Sequence, residues 1–345
     1  MTTSSAFEEK KDITLAKGLG IFLVVVGHIL ARGTSEGNQW FTELTHIIYL
    51  FHMPFFMALS GYVYFRPGRV KKIWHHYGDF MVKQIVRLLL PFFLLGLIVL
   101  AGKMIAAQVL HVDNKPQDII VGVSGLFCMT ENSPSTFIWY IYVLFIYAAI
   151  MPVIYHFVPK PLWVCLVVGG LLYLLPPIHY IYMDKLFAFF LFFIIGGIMR
   201  CDDKKYLDLI DRYIWLFVFL FIASFSLYAL NLFPYKYTKL IIGLLSIPAL
   251  HAACRVLLVY GGKGGQVLYL LGSYTLVIYL FNTISIGVVK GVMFKFANWD
   301  GLNFLFFAPI LILSGVLGPI IISKLWDYLW LLGQRVFLFI QKRQN

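Results

Sequence analysis

Ten apolar runs, near residues 13–31, 44–64, 88–110, 136–158, 162–176, 184–200, 213–231, 238–260, 267–291 and 302–330, take up most of this 345-residue chain. A run of about 17–25 apolar residues is long enough to cross the hydrocarbon core of a bilayer as a helix. A helix also satisfies its own backbone polar groups where water is absent. The chain is therefore expected to fold all-α, as a polytopic integral membrane helix bundle of about ten transmembrane helices. The run at 162–176 is short and stops at Pro176-Pro177, which suits a tilted or re-entrant segment. Composition agrees, with 61% hydrophobic residues, 13% charged residues and a mean hydropathy of +0.83, a balance foreign to water-soluble globules. The runs lack the alternation of a membrane barrel. The polar stretches 65–87 and 111–135 are too short to bury a core of their own, so residues 1–345 read as a single transmembrane domain.

The net charge of +12 does not point to nucleic acid, because the basic residues fall between apolar runs and form no stripe on a soluble domain. They behave as topology signals. With the N-terminus placed in the cytoplasm, 20 of the 28 Lys and Arg residues fall on that side, as the positive-inside rule requires. Both termini are then cytoplasmic, with 1–12 a polar tail and 331–345 a basic one, in a multi-pass protein of the cell (inner or plasma) membrane. "MTTSSAFEEKKD" and the run after it carry no small-residue cleavage site, so the first run is expected to be retained. Cys128, Cys165, Cys201 and Cys254 lie far apart and suggest neither a disulfide framework nor a thiolate metal site. "GGKGG" at 261–265 lacks the hydroxyl residue and strand-to-helix context of a phosphate loop and reads as a flexible cytoplasmic turn.

Two ionisable residues stand in the first run, Lys17 and His28 of "AKGLGIFLVVVGH". On a helix, eleven positions make about three turns and about 16 Å of rise, so the two share a face and cannot touch. Ionisable groups inside spans are costly and point to function by default. The structural alternative is that Lys17 snorkels to the headgroups and His28 packs between helices. His52 lies in the next run, in "YLFHMPFFMALSGYVYF". A short loop makes these two runs antiparallel neighbours, so both imidazoles would face one cavity in the outer half, one as general base and the other orienting a substrate or stabilising charge. No nearby Asp, Glu or Cys completes a metal set with them, so no metal site is expected. Ser60-Gly61 reads as a close-packing pair, since no nucleophile elbow surrounds the serine.

These segments, with "RLLLPFF" at 87–93, "FIWYIYVLFIY" at 137–147, "FFIIGGIMR" at 192–200 and "LGSYTLVIYLFN" at 271–282, resemble the acyltransferase-3 family, within it the group related to fucose 4-O-acetylase, over about residues 12–330. The resemblance implies a membrane O-acyltransferase that takes an acyl group, usually acetyl, from acyl-CoA. The acceptor would be a hydroxyl of a cell-surface glycan or its lipid-linked precursor, a modification of envelope polysaccharide. Matched residue by residue, the family's basic position falls on Lys17, its essential histidine on His28 and the arginine of its RLL-P motif on Arg87. Two positions depart from the pattern. Thr14 stands where many members have Asp, for which Asp12 is a partial substitute, and Asn282 stands where the motif ends in His. An amide hydrogen-bonds but is neither acid nor base, so Asn282 receives no catalytic role at this point.

Acyl transfer to a hydroxyl needs a base for the proton and donors for the oxyanion, which suits His28 as base with His52 assisting. The 65–87 loop sets Arg66, Arg69, Lys71, Lys72, Lys83 and Arg87 against one acid, Asp79. Of these Arg87, Arg66, Arg69 and Lys72 are the candidate contacts for coenzyme A phosphates, although positive-inside topology also accounts for such a loop. Asp113, Asp118, Glu131 and Asn132 of the 111–135 loop, and Trp139 and Tyr140 beside it, are either sugar contacts or a solvated loop and an interfacial aromatic belt. The expected partners are acyl-CoA, a glycan or lipid-linked sugar and membrane lipids, with no nucleic acid. The rival class is a polytopic glycan exporter or proton-coupled transporter, with Lys17, His28 and His52 lining its path.

Overall fold

The computed structural model describes residues 10–30, 35–109, 112, 115–135 and 137–344, side chains excepted at 132 and 329–344. The tail before Lys10, the end of the first run at Ala31, Asp113, the side chain of Asn132 and the side chains of the basic tail lie outside these. The described residues form α1 (Lys11–His28), α2 (Gln39–Tyr64), α3 (Arg69–His75), α4 (Tyr77–Gln84), α5 (Leu90–Ala106), α6 (Ile119–Phe127), α7 (Trp139–Phe157), α8 (Pro161–Leu174), α9 (Met183–Cys201), α10 (Asp203–Arg212), α11 (Ile214–Ala229), α12 (Tyr235–Tyr260), α13 (Gly262–Ser273), α14 (Thr275–Met293) and α15 (Phe304–Gln344). Among them the only strand-like pairing is an isolated bridge between Met129 and Tyr180.

Every apolar run coincides with a helix. Six helical segments are long and apolar enough to cross a membrane, and a seventh is added if α10 and α11, bent by 75° at Tyr213, count as one span. The difference from the ten runs has identifiable causes. The helices α1 and α9 are 18 and 19 residues long and each carries three charged residues, Lys11, Asp12 and Lys17 in one, Asp184, Lys185 and Arg200 in the other. At 14 and 16 residues, α8 and α11 are short. The run at 267–291 is broken at Tyr274, where α13 hands over to α14. "GGKGG" is not the turn its composition suggests, because Gly262 to Gly265 form the first turn of α13. A Cβ at Gly265 would lie 2.6 Å from the Leu257 carbonyl oxygen, so glycine lets α13 fold back against the end of α12.

The central helix is α2, whose most apolar stretch is 78% buried, against 33–44% for the other five segments. It is flanked by α1, α9 and α12. Apolar side chains gain little by leaving lipid for another helix, so membrane helices associate through small residues that admit close backbone approach. A Cβ at Gly61 of α2 would sit 1.9 Å from the Phe193 carbonyl oxygen of α9, and one at Gly196 of α9 would sit 1.9 Å from the Ala58 carbonyl oxygen of α2. The same reciprocity joins α1 to α13. A Cβ at Gly18 would meet the Leu268 carbonyl oxygen at 1.7 Å, and one at Gly272 would meet the Thr14 carbonyl oxygen at 1.8 Å. Large apolar side chains such as Ile98, Val167, Trp215, Phe219 and Phe306 point outward, as lipid-facing surfaces should.

Two local features place functional side chains. Ile85–Leu89 widens into a π-helical turn immediately before α5, because the ring of Pro91 crowds the carbonyl four residues earlier and offers no N–H in return. That carbonyl belongs to Arg87. The segment after α1 is tied to the one before α15. Ser35 Oγ donates to the Trp299 carbonyl at 2.7 Å, Glu36 N–H to Asp300 Oδ1 at 2.8 Å, and Gly301 N–H to the Glu36 carbonyl at 2.8 Å. This lashing fixes the end of the bundle at which His28 lies.

The glycine contacts make a direct prediction. Gly61→Val or Gly196→Val forces α2 and α9 apart and destabilises the fold by about 3 kcal/mol, the upper end for overpacking. Gly170→Ala and Gly287→Ala, where a Cβ meets nothing within 4 Å, leave it unchanged. Thermal denaturation of the purified, detergent-solubilised variants distinguishes the two classes.

Candidate functional site

His28 closes α1 and is half-buried. Its Nδ1 lies 2.8 Å from Asn282 Oδ1 on α14. The direction of this bond follows from the other end of the amide, because Asn282 Nδ2 donates to the carbonyls of Ile278 at 2.8 Å and Tyr279 at 2.9 Å. With the NH2 group committed to two backbone acceptors, Oδ1 must face the imidazole and accept. His28 therefore carries its proton on Nδ1 and its lone pair on Nε2. Asn282 is fully buried. An amide is neither acid nor base, but this one sets which nitrogen of His28 carries the proton.

His52 is held in the same way from one turn back on α2. Its Nδ1 is 2.7 Å from the Ile48 carbonyl oxygen, an acceptor only, so Nδ1 is again the protonated nitrogen and Nε2 the basic one. Between the two histidines stands Tyr49, whose hydroxyl donates to the Gly27 carbonyl at 2.7 Å and whose ring centroid is 5.1 Å from that of His52. The two imidazoles lie within electrostatic reach of each other, with Lys239 of α12 also near His52. Neither imidazole makes another hydrogen bond among the described residues. The spans thus bring together His28 and His52, both with Nε2 as the basic nitrogen.

Lys17 is not part of this cluster. Since α1 is unbroken from Lys11 to His28, Lys17 lies about 16 Å down the same helix, half-buried beside the Gly18 crossing. Ser60 is satisfied by the Phe56 carbonyl at 2.9 Å and by the Tyr140 hydroxyl, while Gly61 closes on α9, so this pair serves packing. Trp139 stacks on Phe189 with centroids 4.9 Å apart, and Tyr140 is buried against Phe56 and Tyr279. Among the described residues no three His, Cys, Asp or Glu side chains converge on a common point, and all four cysteines are free.

Near the other end of the bundle, two of the four arginine and lysine candidates, Arg66 and Arg87, lie within electrostatic reach of a third, Arg69. Arg66 follows α2, Arg69 opens α3 and Arg87 sits in the π turn. The Arg69 guanidinium lies 5.5 Å over the Tyr64 ring and donates to the Val63 carbonyl at 3.4 Å. Burial first, and the like charges of Arg66 and Arg87 next, lower its pKa, with Tyr64 opposing. Lys72 is exposed on α3.

Sequence reasoning missed a second polar network at this end. Asp12, which looked like a substitute for the carboxylate replaced by Thr14, is engaged elsewhere, with Arg255 Nη1 at 3.0 Å and His251 Nε2 at 3.4 Å from its Oδ2. Arg255 also forms a two-pronged pair with Asp211 of α10, both contacts at 2.7 Å, and the Tyr206 hydroxyl bonds His251 Nδ1 at 3.0 Å. Beside it, Asp203 takes Arg200 Nη1 at 3.1 Å together with Lys10 and the Tyr62 hydroxyl. Burial raises the Asp203 pKa, but the Lys10 and Tyr62 hydrogen bonds and the Arg200 charge outweigh it and hold the carboxyl below its ordinary value. The available signal was the i, i+4 spacing of His251 and Arg255 inside an apolar run. These contacts bind α10 and the start of α1 to the ends of α2, α9 and α12. Arg255→Ala should cost about 3 kcal/mol, since it leaves Asp12 buried with a partner removed. Lys205→Ala, which removes only an exposed pair with Asp202, should leave thermal stability unchanged. Thermal melts of both variants test this.

A family model described as an acyltransferase domain, of the acyltransferase-3 type, matches residues 10–324. Two curated relatives match in part, both named nodulation protein NolL. The protein from Sinorhizobium fredii (strain NBRC 101917 / NGR234) is 46% identical over 65 residues, 17% of this chain and 17% of the relative. The protein from Mesorhizobium japonicum (strain LMG 29417 / CECT 9101 / MAFF 303099) is 46% identical over 50 residues, 14% of this chain and 13% of the relative. The matched part therefore spans only 17% and 13% of these relatives' length. No solved structure matches the chain.

Proposed function

The chain belongs to the acyltransferase-3 family, and from that premise we propose that it moves an acetyl group from cytosolic acetyl-CoA to a sugar hydroxyl of a cell-surface glycan or its lipid-linked precursor. The observation that carries this reading is the His28–Asn282 pair. A hydroxyl becomes a competent nucleophile when a positioned base takes its proton in the transition state, and His28 Nε2 is the base so presented. The pairing follows the logic of a nucleophile, a histidine and a third group that fixes the histidine's tautomer, with the acceptor hydroxyl in the nucleophile's place.

In this mechanism His28 Nε2 accepts the proton of the sugar hydroxyl as its oxygen bonds to the thioester carbonyl carbon. Asn282 accepts from Nδ1–H throughout and stabilises the imidazolium that forms. The carbon–sulfur bond then breaks, the ester remains on the sugar, and the proton on Nε2 passes to the departing thiolate, so that coenzyme A leaves as the thiol. His52 assists from α2 as the neighbouring imidazole. Arg66, Arg69 and Arg87 hold the phosphates at the cytoplasmic mouth, where guanidinium forks suit phosphate oxygens. Lys17 lies along the path between them and His28, and the pantetheine arm spans the interval. Both chain termini are assigned to the cytoplasm, in keeping with the distribution of basic residues.

Purified protein with labelled acetyl-CoA and a panel of glycan acceptors tests the assignment. Folded His28→Ala should lose acetyl transfer by about 10³-fold, within the range of general-base catalysis. Asn282→Ala should lower kcat about 10–100-fold with little change in KM for acetyl-CoA, as expected of a residue that orients the base without touching the donor. Arg87→Ala should instead raise the KM for acetyl-CoA. Undiminished transfer by His28→Ala removes the catalytic assignment.

A further inference from the structure

Lys239 stands one turn inside α12, in the same half of the bundle as His28 and His52. Its orientation follows from Gly243, four residues later on the same helix face. A Cβ there would meet the Pro54 ring at 2.9 Å and Phe192 at 3.2 Å, so this face of α12 looks inward at α2 and α9. The Lys239 ammonium lies 5.2 Å over the Phe189 ring, half-buried and within electrostatic reach of His52. Lys185 and Asp184 are also in range. Asp184 is engaged by the Lys185 ammonium at 2.9 Å, with His179 at 3.6 Å. Among the described residues Lys239 has no hydrogen bond and no ion pair.

An ammonium inside a span ordinarily finds a carboxylate or a carbonyl, or snorkels to the headgroups. Lys236, three residues earlier, does the first, donating to the Leu175 carbonyl at 2.7 Å. Lys239 turns inward and rests on an aromatic ring, an interaction that offsets only part of the loss of water around a cation. The Phe189 ring is itself stacked on Trp139. An ammonium with no acidic partner, set beside an aromatic pair and a histidine whose Nε2 is basic, matches the chemistry of a ligand that is both a sugar and an anion.

We propose that Lys239 is the anion subsite of the acceptor: the sugar that receives the acyl group carries an oxyanion near the acylated hydroxyl, and Lys239 binds it while His28 and His52 address the hydroxyl. The inference rests on the transferase reading above for the role of the two histidines. The oxyanion is either the carboxylate of a sugar acid or the phosphate of a phosphorylated, lipid-linked sugar, and the test separates the two.

Wild type, Lys239→Met and Lys239→Arg are prepared in phosphatidylcholine nanodiscs. Their thermal stabilisation is titrated with methyl glucuronide, glucose 1-phosphate, neutral methyl glucoside and, separately, acetyl-CoA, since a ligand that binds only the folded state raises its stability. Wild type should bind one of the charged sugars at least tenfold more tightly than methyl glucoside, and the tighter of the two identifies the source of the anion. The preference should persist in Lys239→Arg and vanish in Lys239→Met, with stabilisation by acetyl-CoA the same in all three. Equal binding of charged and neutral sugars by wild type, binding of neither charged sugar, or a preference that survives Lys239→Met overturns the proposal. The wild-type comparison decides it even if Lys239→Met does not fold. Loss of the acetyl-CoA response in wild type counts against the transferase reading on a separate arm.

Discussion

The backbone contact between α2 and α9 at Gly61 and Gly196 is the constraint from which the rest of the structure follows. Any side chain at either position would hold the two helices apart. With both glycines in place α2 becomes the buried centre of the bundle, with α1, α9 and α12 around it. That position sets His52 within electrostatic reach of both His28 and Lys239. The glycines thus serve the site without being near it. Helices that gain nothing from burying apolar surface against one another are held by shape, and shape at these crossings means the absence of a Cβ.

Polar groups are distributed along the bundle in two tiers. Near the end where α1 begins, charges are mostly paired. Asp12, Asp203 and Asp211 take up Arg255, Arg200 and Lys10, and these pairs fix helix ends and the amphipathic α10. At the same end Arg66 and Arg87 lie within electrostatic reach of Arg69, with Arg87 in the π turn ahead of Pro91. Around His28 and His52 the pattern is different. There each imidazole spends one nitrogen on a fixed acceptor and keeps the other basic. The first tier ties helix ends together, and the second holds two imidazoles each with Nε2 free of the contact that fixes the ring.

Much of this was legible in the sequence because membrane helices write themselves as uninterrupted apolar runs, and each of the ten runs holds a helix among the described residues. Span number was less legible. The three charged residues in each of α1 and α9 and the break at Tyr274 depend on neighbours, since Arg200 is tolerated only because Asp203 and Tyr62 meet it. Lys17, His28 and His52 stood out as ionisable groups in apolar surroundings. Asn282 did not, because an amide in a helix signals nothing until its partner is known. What appeared as a departure from the family's motif is the group that sets the tautomer of His28. The "GGKGG" stretch misled for a related reason, as its glycines answer a carbonyl of a preceding helix and not the needs of a turn.

The central claim, that this chain acylates a surface glycan, is tested most directly by mass analysis of glycans from cells that carry the chain and from otherwise identical cells that lack it. The account predicts ester-linked acetyl groups on a glycan of the first cells and their absence from the second. The same acyl content in both would contradict it.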